Sequence, residues 1–436
     1  LIGVGLIAAG LITAGLVSAS GAHADMIGHG GMVRSVTVSP DGNRVMTVGF
    51  DYAVKLWGFV EQSEIADLEG HEGPVNSAVF LPDGKRALTV SDDRSAILWD
   101  LATAAPIHVL TNHTAKVMAV AVDPSGTLAA TGGWDRSIRL WDLKEGEELR
   151  AIGLVSNVNA VTFVNGGTTL ASGGHDGVIR LWDYRTGTLQ GELKGHGWGV
   201  TQLAATPDGK RLISTGTDST VRIWDVASQS EISQLVGHEG PVFGLSLTRN
   251  GREAVTVDRF GVLQHWSLAT SKSTGSLKVH DKAAWAVAFT PDGRFVVTGG
   301  TDETARVWHL ATGDRIGTVI ENDTEPKPWL ESKHPGAQLF RKCARCHAIR
   351  ADARRRSGPH LENLLGRRAG SIKRYKYSGA LQNVSYAWSR ENIAGLFREG
   401  PDVFLPGTKM PMQQILDPAQ LDALIDYIDE ITRTPG

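Results

Sequence analysis

The sequence predicts two regions of different architecture: an all-β array of seven short repeats over the first three quarters of the chain, and a separate C-terminal region built around one cysteine pair. Two observations carry this. Trp57, Trp99, Trp141, Trp182, Trp224, Trp266 and Trp308 recur at intervals of 42, 42, 41, 42, 42 and 42 residues, a period that signals a propeller or a solenoid. Cys343 and Cys346 are the only two cysteines among 436 residues, and they stand in Cys343-Ala344-Arg345-Cys346-His347, the C-x-x-C-H pattern that attaches a c-type haem.

Each repeat reads as four short strands with period-two alternation, as in Val36-Thr37-Val38 and Val161-Thr162-Phe163. Tight turns fall where the first strand must reverse into the second, at Pro40-Asp41-Gly42, Pro82-Asp83-Gly84, Pro124-Ser125-Gly126, Asn165-Gly166, Pro207-Asp208-Gly209, Asn250-Gly251 and Pro291-Asp292-Gly293. Pro presets φ there and Gly accepts positive φ. Gly-His opens a repeat at His29, His71, His196 and His238, while His113 and His280 hold the same place after Asn112 and Val279. Asp follows the repeat Trp at Asp100, Asp142, Asp183 and Asp225.

With these motifs residues 25–320 resemble the WD-repeat β-propeller family. The resemblance implies seven blades and, within a blade, a buried hydrogen-bond chain of Asp, His, Ser or Thr, and Trp. Five repeats have an Asp 22 residues after the opening His: Asp51, Asp93, Asp135, Asp218 and Asp302. Two depart. Leu154 takes the His position of the fourth repeat, leaving Asp176 expected to be unpaired, and Phe260 takes the Asp position of the sixth, leaving His238 expected to be unpaired. Both blades are expected to be softer, since a broken buried network costs stability. The histidines are explained as blade structure rather than metal ligands. With little sequence before Gly28, the ring is expected to close by side-chain packing rather than by strand exchange.

In the C-terminal region two thiols three positions apart on one helical turn can add to the two vinyl groups of one haem, with His347 beside them for the iron. A thioredoxin-like pair would want a βαβ context and a zinc site more Cys or His; neither is visible nearby. Pro406-Gly407-Thr408-Lys409-Met410 offers a thioether on a Pro/Gly-rich loop. Residues 333–434 resemble a class I c-type cytochrome of the bacterial soluble and mitochondrial type, so the fold class expected for the whole chain is multidomain: an all-β seven-bladed WD-repeat propeller followed by an all-α class I cytochrome c domain at 334–436, after a linker at 321–333. The resemblance implies one covalently attached haem c, anchored by Cys343 and Cys346. His347 and Met410 would be the iron ligands. The Pro359 carbonyl would accept from the proximal imidazole, Arg367 would approach a haem propionate, and Tyr375, Tyr377 and Trp388 would hydrogen-bond the propionates. Gly336 and Phe340 match the first helix where it crosses a last helix marked by Leu424 and Tyr427. Met412 is a rival to Met410 for the sixth position.

With His and Met on the iron no coordination site is open, and this ligand pair raises the reduction potential. That favours outer-sphere electron transfer over catalysis. The expected function is an exported monohaem carrier of single electrons with the propeller as a protein-docking platform. The alternatives are an oxidoreductase whose propeller is catalytic and uses the haem as electron outlet, and an assembly factor whose haem state changes what the propeller binds.

Residues 1–17 are apolar with interspersed Gly, and Ala22 and Ala24 fit a signal-peptidase site. A signal peptide over 1–24 is expected, with an uncleaved membrane anchor as the competing reading. Either puts the remainder in the bacterial periplasm or at its membrane. Net charge is −3 overall but unevenly spread: 325–436 has 18 Lys and Arg against 12 Asp and Glu, net +6, leaving 26 against 35, net −9. Arg354-Arg355-Arg356, Arg367-Arg368 and Lys373-Arg374 make the C-terminal domain basic. This favours an acidic redox partner rather than nucleic acid. The linker reaches at most about 45 Å, which keeps the haem close to the propeller. With 315–320 as the outermost strand of blade seven, the chain leaves on the face carrying the loops that open each blade, and the cytochrome should sit over or beside that face. Trp134 and Trp198 fall in loops on that side and could form a docking surface.

Overall fold

The computed structural model describes residues 25–317, 328–351, 358–373, 375, 377–408, 410 and 413–434. Seven antiparallel sheets follow one another along the chain, each taking four consecutive strands in order. In blade one these are Val33–Val38, Arg44–Gly49, Val54–Gly58 and Glu64–Asp67. Burial is greatest in the two middle strands of each blade. The second strands are buried at nearly every position, whereas outermost strands such as Glu147–Gly153 are mostly exposed. The period-two pattern is therefore clearest where only one face is covered.

The ring closes differently from the expectation. Met26–Ile27 is a short strand that pairs with Thr304–His309 of blade seven through Met26 with Ala305 and Ile27 with Thr304. Arg315–Ile316 continues the same edge. Two residues suffice because Met26 is fully buried and Asp25 forms an ion pair with Arg315, so packing and charge reinforce two residue pairs.

A second closure device was not legible in the motifs. In every blade the innermost strand has a register irregularity that skips its second residue. A bulge re-aims the extra side chain, and in several blades it reaches the next one. Asn76, Asn159 and Thr201 donate to the carbonyls of Val117, Val200 and Val242 at 2.9, 2.9 and 2.6 Å. Phe243 stacks on Trp285 at 4.0 Å, and the Arg34 guanidinium lies 4.6 Å from the Trp285 ring centroid, which joins blade seven to blade one.

The buried network forms as the resemblance implies in five blades. In blade two, Trp99 Nε1–H donates to Thr89 Oγ1 at 2.8 Å, Thr89 Oγ1 lies 2.8 Å from His71 Nε2, and His71 Nδ1 lies 2.8 Å from Asp93. An indole N–H can only donate, so the threonine accepts it and gives its own proton to Nε2; Nδ1 then carries the proton shared with the carboxylate. The equivalent Asp pairs in blades one, three, five and seven lie at 2.9–3.1 Å.

Both expected defects are corrected. His238 is paired: Nδ1 lies 2.8 Å from Asp258, two residues earlier than the usual position, and Asp258 also accepts from the N–H groups of Phe260 and Val262. Asp176 is paired with Arg180 Nη2 at 2.8 Å, so an ion pair replaces the absent histidine, while Trp182 still donates to Ser172. Neither blade is left with the unpaired Asp or His that led us to expect softness.

These networks predict acid sensitivity. Burial pushes the Asp93 and Asp302 carboxyls up, but hydrogen bonds and charge from His71 and His280, with further donors, outweigh it and hold both at about 2. Burial lowers His113, against the pull of Asp135. An unfolded Asp titrates near ~3.9 and His near ~6.5, so on acidification the unfolded chain takes up protons first. The sign is therefore loss of stability as pH falls, beginning below about 6.5 for His113 and continuing from about 4 down through 2 for the carboxylates. Thermal unfolding followed by tryptophan fluorescence across this range should show it. A melting temperature that stays level from pH 7 to pH 2 would contradict the assignment.

The C-terminal region is helical: α1 Pro328–Glu331, α2 Pro335–Cys346, α3 Gly379–Gln382, α4 Arg390–Glu399, α5 Pro401–Phe404 and α6 Pro418–Thr432. Helix α1 lies inside the segment expected to be linker. Its buried Trp329 packs on Phe340 at 5.5 Å, so the domain begins earlier than the motif suggested. Among the described residues no helix is long and apolar enough to cross a membrane. The expected signal segment at 1–24 and the basic run at 354–356 lie outside the described residues.

Candidate haem site

Helix α2 starts at Pro335, where the His334 side chain accepts from the Gly336 N–H at 3.1 Å, and it crosses α6 at Gly336. A Cβ at Gly336 would overlap the Ala423 carbonyl oxygen and lie 2.8 Å from Tyr427 Cβ. Phe340 meets Tyr427 edge-on at 5.8 Å in the same crossing. Leu424 and Tyr427 are almost fully buried there. The small and aromatic positions singled out in the sequence are thus those that let two helix backbones approach.

The far end of α2 carries the motif. Cys343 is buried in the helical core, and the helix ends at Cys346, whose side chain lies outside the described residues. His347 follows in extended backbone conformation, its N–H still bonded to the Cys343 carbonyl. The imidazole Nδ1 lies 2.7 Å from the Pro359 carbonyl. A carbonyl only accepts, so Nδ1 carries the proton and Nε2 is the atom left to act as a ligand.

These residues border a cavity whose empty space, including the part open to solvent, is about 1480 Å³. Cys343, His347, Pro359, Arg367, Tyr375, Tyr377, Trp388 and Met410 all line it, together with apolar groups that include Leu361, Leu364, Ile393 and Phe397. Met410 is partly buried against the helical core, in the segment that follows the Gly407 turn at φ 82°. Lys409, Pro411 and the rival Met412 lie outside the described residues.

The polar groups have particular engagements. Arg367 Nη1 and Nη2 donate to the carbonyls of Glu362 and His360 at 2.6 and 2.8 Å, and among the described residues it forms no ion pair. Burial lowers its pKa, which is the cost of a cation held beside an apolar cavity. Tyr377 Oη accepts the Ile372 N–H at 3.2 Å, leaving its own proton to donate, and burial raises its pKa. Tyr375 meets Tyr377 edge-on at 4.8 Å. Trp388 is placed by reciprocal backbone bonds, Trp388 N–H to the Arg367 carbonyl and Gly366 N–H to the Trp388 carbonyl.

A haem c group fits this donor set. The apolar wall suits a macrocycle, Nε2 of His347 and the Met410 sulfur are ligands that iron accepts, and Arg367, Tyr377 and Trp388 supply cationic or N–H and O–H groups suited to carboxylates. The cavity also has a boundary outside the helical region: Asp51, Tyr52, Ala53, Asp67, Leu68 and Glu69 of blade one line it too. That agrees with the expected placement of the domain on the face that carries the blade-opening loops. Of the two tryptophans expected on that face, Trp198 is 71 % exposed. Trp134 is 41 % exposed and tied by its indole N–H to Asn159 at 3.1 Å.

Fold and site together define a β-propeller joined to a helical haem-binding domain. A family model described as the IFT122 first beta-propeller matches residues 74–324, one for the WD domain, G-beta repeat, matches 23–58, and one for cytochrome c matches 334–432. The chain is 36 % identical over 93 residues to the "Cytochrome c homolog" of Rickettsia typhi, which covers 21 % of this chain and 53 % of that protein. It is 32 % identical over 99 residues to the cytochrome c of Cochliobolus lunatus, 22 % of this chain and 91 % of that protein. It is 36 % identical over 95 residues to cytochrome c2 of Blastochloris viridis, 22 % and 74 % respectively. The chain therefore spans about half the length of the Rickettsia relative and most of the other two. It belongs to the β-propeller family of the first model and, in its C-terminal part, to the cytochrome c family. A cytochrome c domain implies haem c and electron transfer, and a WD-type propeller implies protein interaction.

Proposed function

We propose that this protein is an exported, periplasmic monohaem cytochrome that passes single electrons to and from an acidic redox partner, with the propeller as its docking platform. The observation that carries the reading is the 2.7 Å contact of His347 Nδ1 with the Pro359 carbonyl, directly after the Cys343 and Cys346 pair and beside a cavity that Met410 also lines. When bound, the haem iron supplies one-electron chemistry. Cys343 and Cys346 would hold the ring covalently, and His347 and Met410 would hold the iron. The Pro359 contact keeps the imidazole in one tautomer and one orientation. The apolar wall excludes water from the iron, which together with a thioether ligand favours the reduced state. Arg367, Tyr375, Tyr377 and Trp388 would hold the propionates. Export is supported by the apolar residues 1–17 and by the compartment in which covalent haem attachment is completed.

The test is a reduced-minus-oxidised spectrum of the full chain with haem stoichiometry. One haem per chain and the weak sulfur-to-iron band at the red end of the oxidised spectrum are expected. Met410→Ala should lose that band, bind external ligands such as cyanide more readily and lower the potential by on the order of 100 mV or more, within the roughly 0.8 V range that axial ligands set. An unchanged band in that variant would remove Met410 from the iron.

A further inference from the structure

We propose that the rim of blade one is a docking surface for the haem-bearing face of this chain's own cytochrome domain, so that the propeller covers the haem cavity until a partner or salt displaces it. The inference rests on the haem reading above. Its first support is geometric: one cavity is lined both by His347, Tyr377 and Met410 and by Tyr52, Asp67 and Glu69. The second is charge. Lys55 Nζ lies 2.9 Å from Glu64 and 3.2 Å from Asp67, so one ammonium offsets one of two carboxylates, and Glu69 stands two residues further on. The rim is thus net acidic. On the other side, Arg367 lines the cavity and among the described residues forms no ion pair, and Lys373 stands two residues before the lining Tyr375.

The turn position held at positive φ by Arg94, Arg136, Ser219 and Glu303 in other blades is Tyr52 in blade one, and its side chain lines the cavity. The surface that would steer an acidic partner to the cytochrome is therefore the one that blade one addresses, and an outside partner must compete with it.

Reduction of the full, haem-loaded chain by an uncharged small reductant tests this by stopped flow. An uncharged reductant has no ionic steering of its own, so salt acts on the protein alone. Screening shortens from about 30 Å at 0.01 M to about 3 Å at 1 M, and the rate is expected to rise several-fold over that span. The Asp67→Asn/Glu69→Gln double variant should already be fast at low salt and respond little to more. A native rate indifferent to salt, with the haem spectrum present, overturns the docking and leaves the cytochrome reading intact. Absence of the haem spectrum overturns both. The salt titration of the native chain decides the matter even if the double variant does not fold.

Discussion

Replacing Cys343 and Cys346 together by alanine should abolish covalent haem: staining for haem peroxidase activity after denaturing electrophoresis is expected to fall to background. The two thiols are the only ones in the chain, so no other side chain can take over the attachment. Coordination by His347 and Met410 alone does not survive denaturation, because both ligands are released once the chain unfolds. The helical core should also suffer, since Leu361, Leu364, Ile393 and Phe397 border both that core and the cavity. Loss of haem takes apolar burial from them, at roughly 25 cal/mol per Å² re-exposed. Staining that persists in the double variant would refute covalent attachment through this motif.

Thr89→Val should destabilise the propeller by about 2–6 kcal/mol. The replacement keeps the shape and removes only the hydroxyl, which joins Trp99 Nε1 and His71 Nε2, each at 2.8 Å, at a fully buried site. Two polar atoms then lose their shared partner, and each such loss costs about 1–3 kcal/mol. His71 also loses the contact that sets its tautomer, so the Asp93 interaction should weaken with it. Denaturant unfolding of the native chain and the variant measures the difference. A loss below about 0.5 kcal/mol, typical of a surface change, would mean that the network adds no stability in blade two.

Much of the molecule was legible because its chemistry is local or periodic. The Trp spacing, the reverse turns and the His-to-Asp distance of 22 repeat with the blade, so one strand plan explains seven segments. The C-x-x-C-H run is likewise readable, because five consecutive residues carry the chemistry. Gly336 was legible as a helix crossing through its place in the resemblance, and the overlap with Ala423 supplies the physical reason.

The misreadings came where a partner is chosen in space. Counting 22 residues from His238 reaches Phe260, yet the turn after Glu253–Asp258 brings Asp258 to the imidazole from two residues earlier. Asp176 lacked a histidine at the usual place, and its partner Arg180 stands only four residues on in the following strand, an ion pair that the repeat pattern does not contain. Strand exchange by Met26–Ile27 depends on the far end of the ring arriving beside the start, about 280 residues away in sequence. The inter-blade bonds of Asn76, Asn159 and Thr201 depend on a bulge that no residue type announces.

Alone, the sequence determined two domains, their fold classes, the haem motif and the candidate ligands, since these rest on spacing along the chain and on side-chain chemistry. Tertiary structure decided which carboxylate meets His238, how the ring closes, and that blade one borders the haem cavity. Those outcomes depend on distances between atoms far apart in the chain, and such distances exist only once strands and helices have packed.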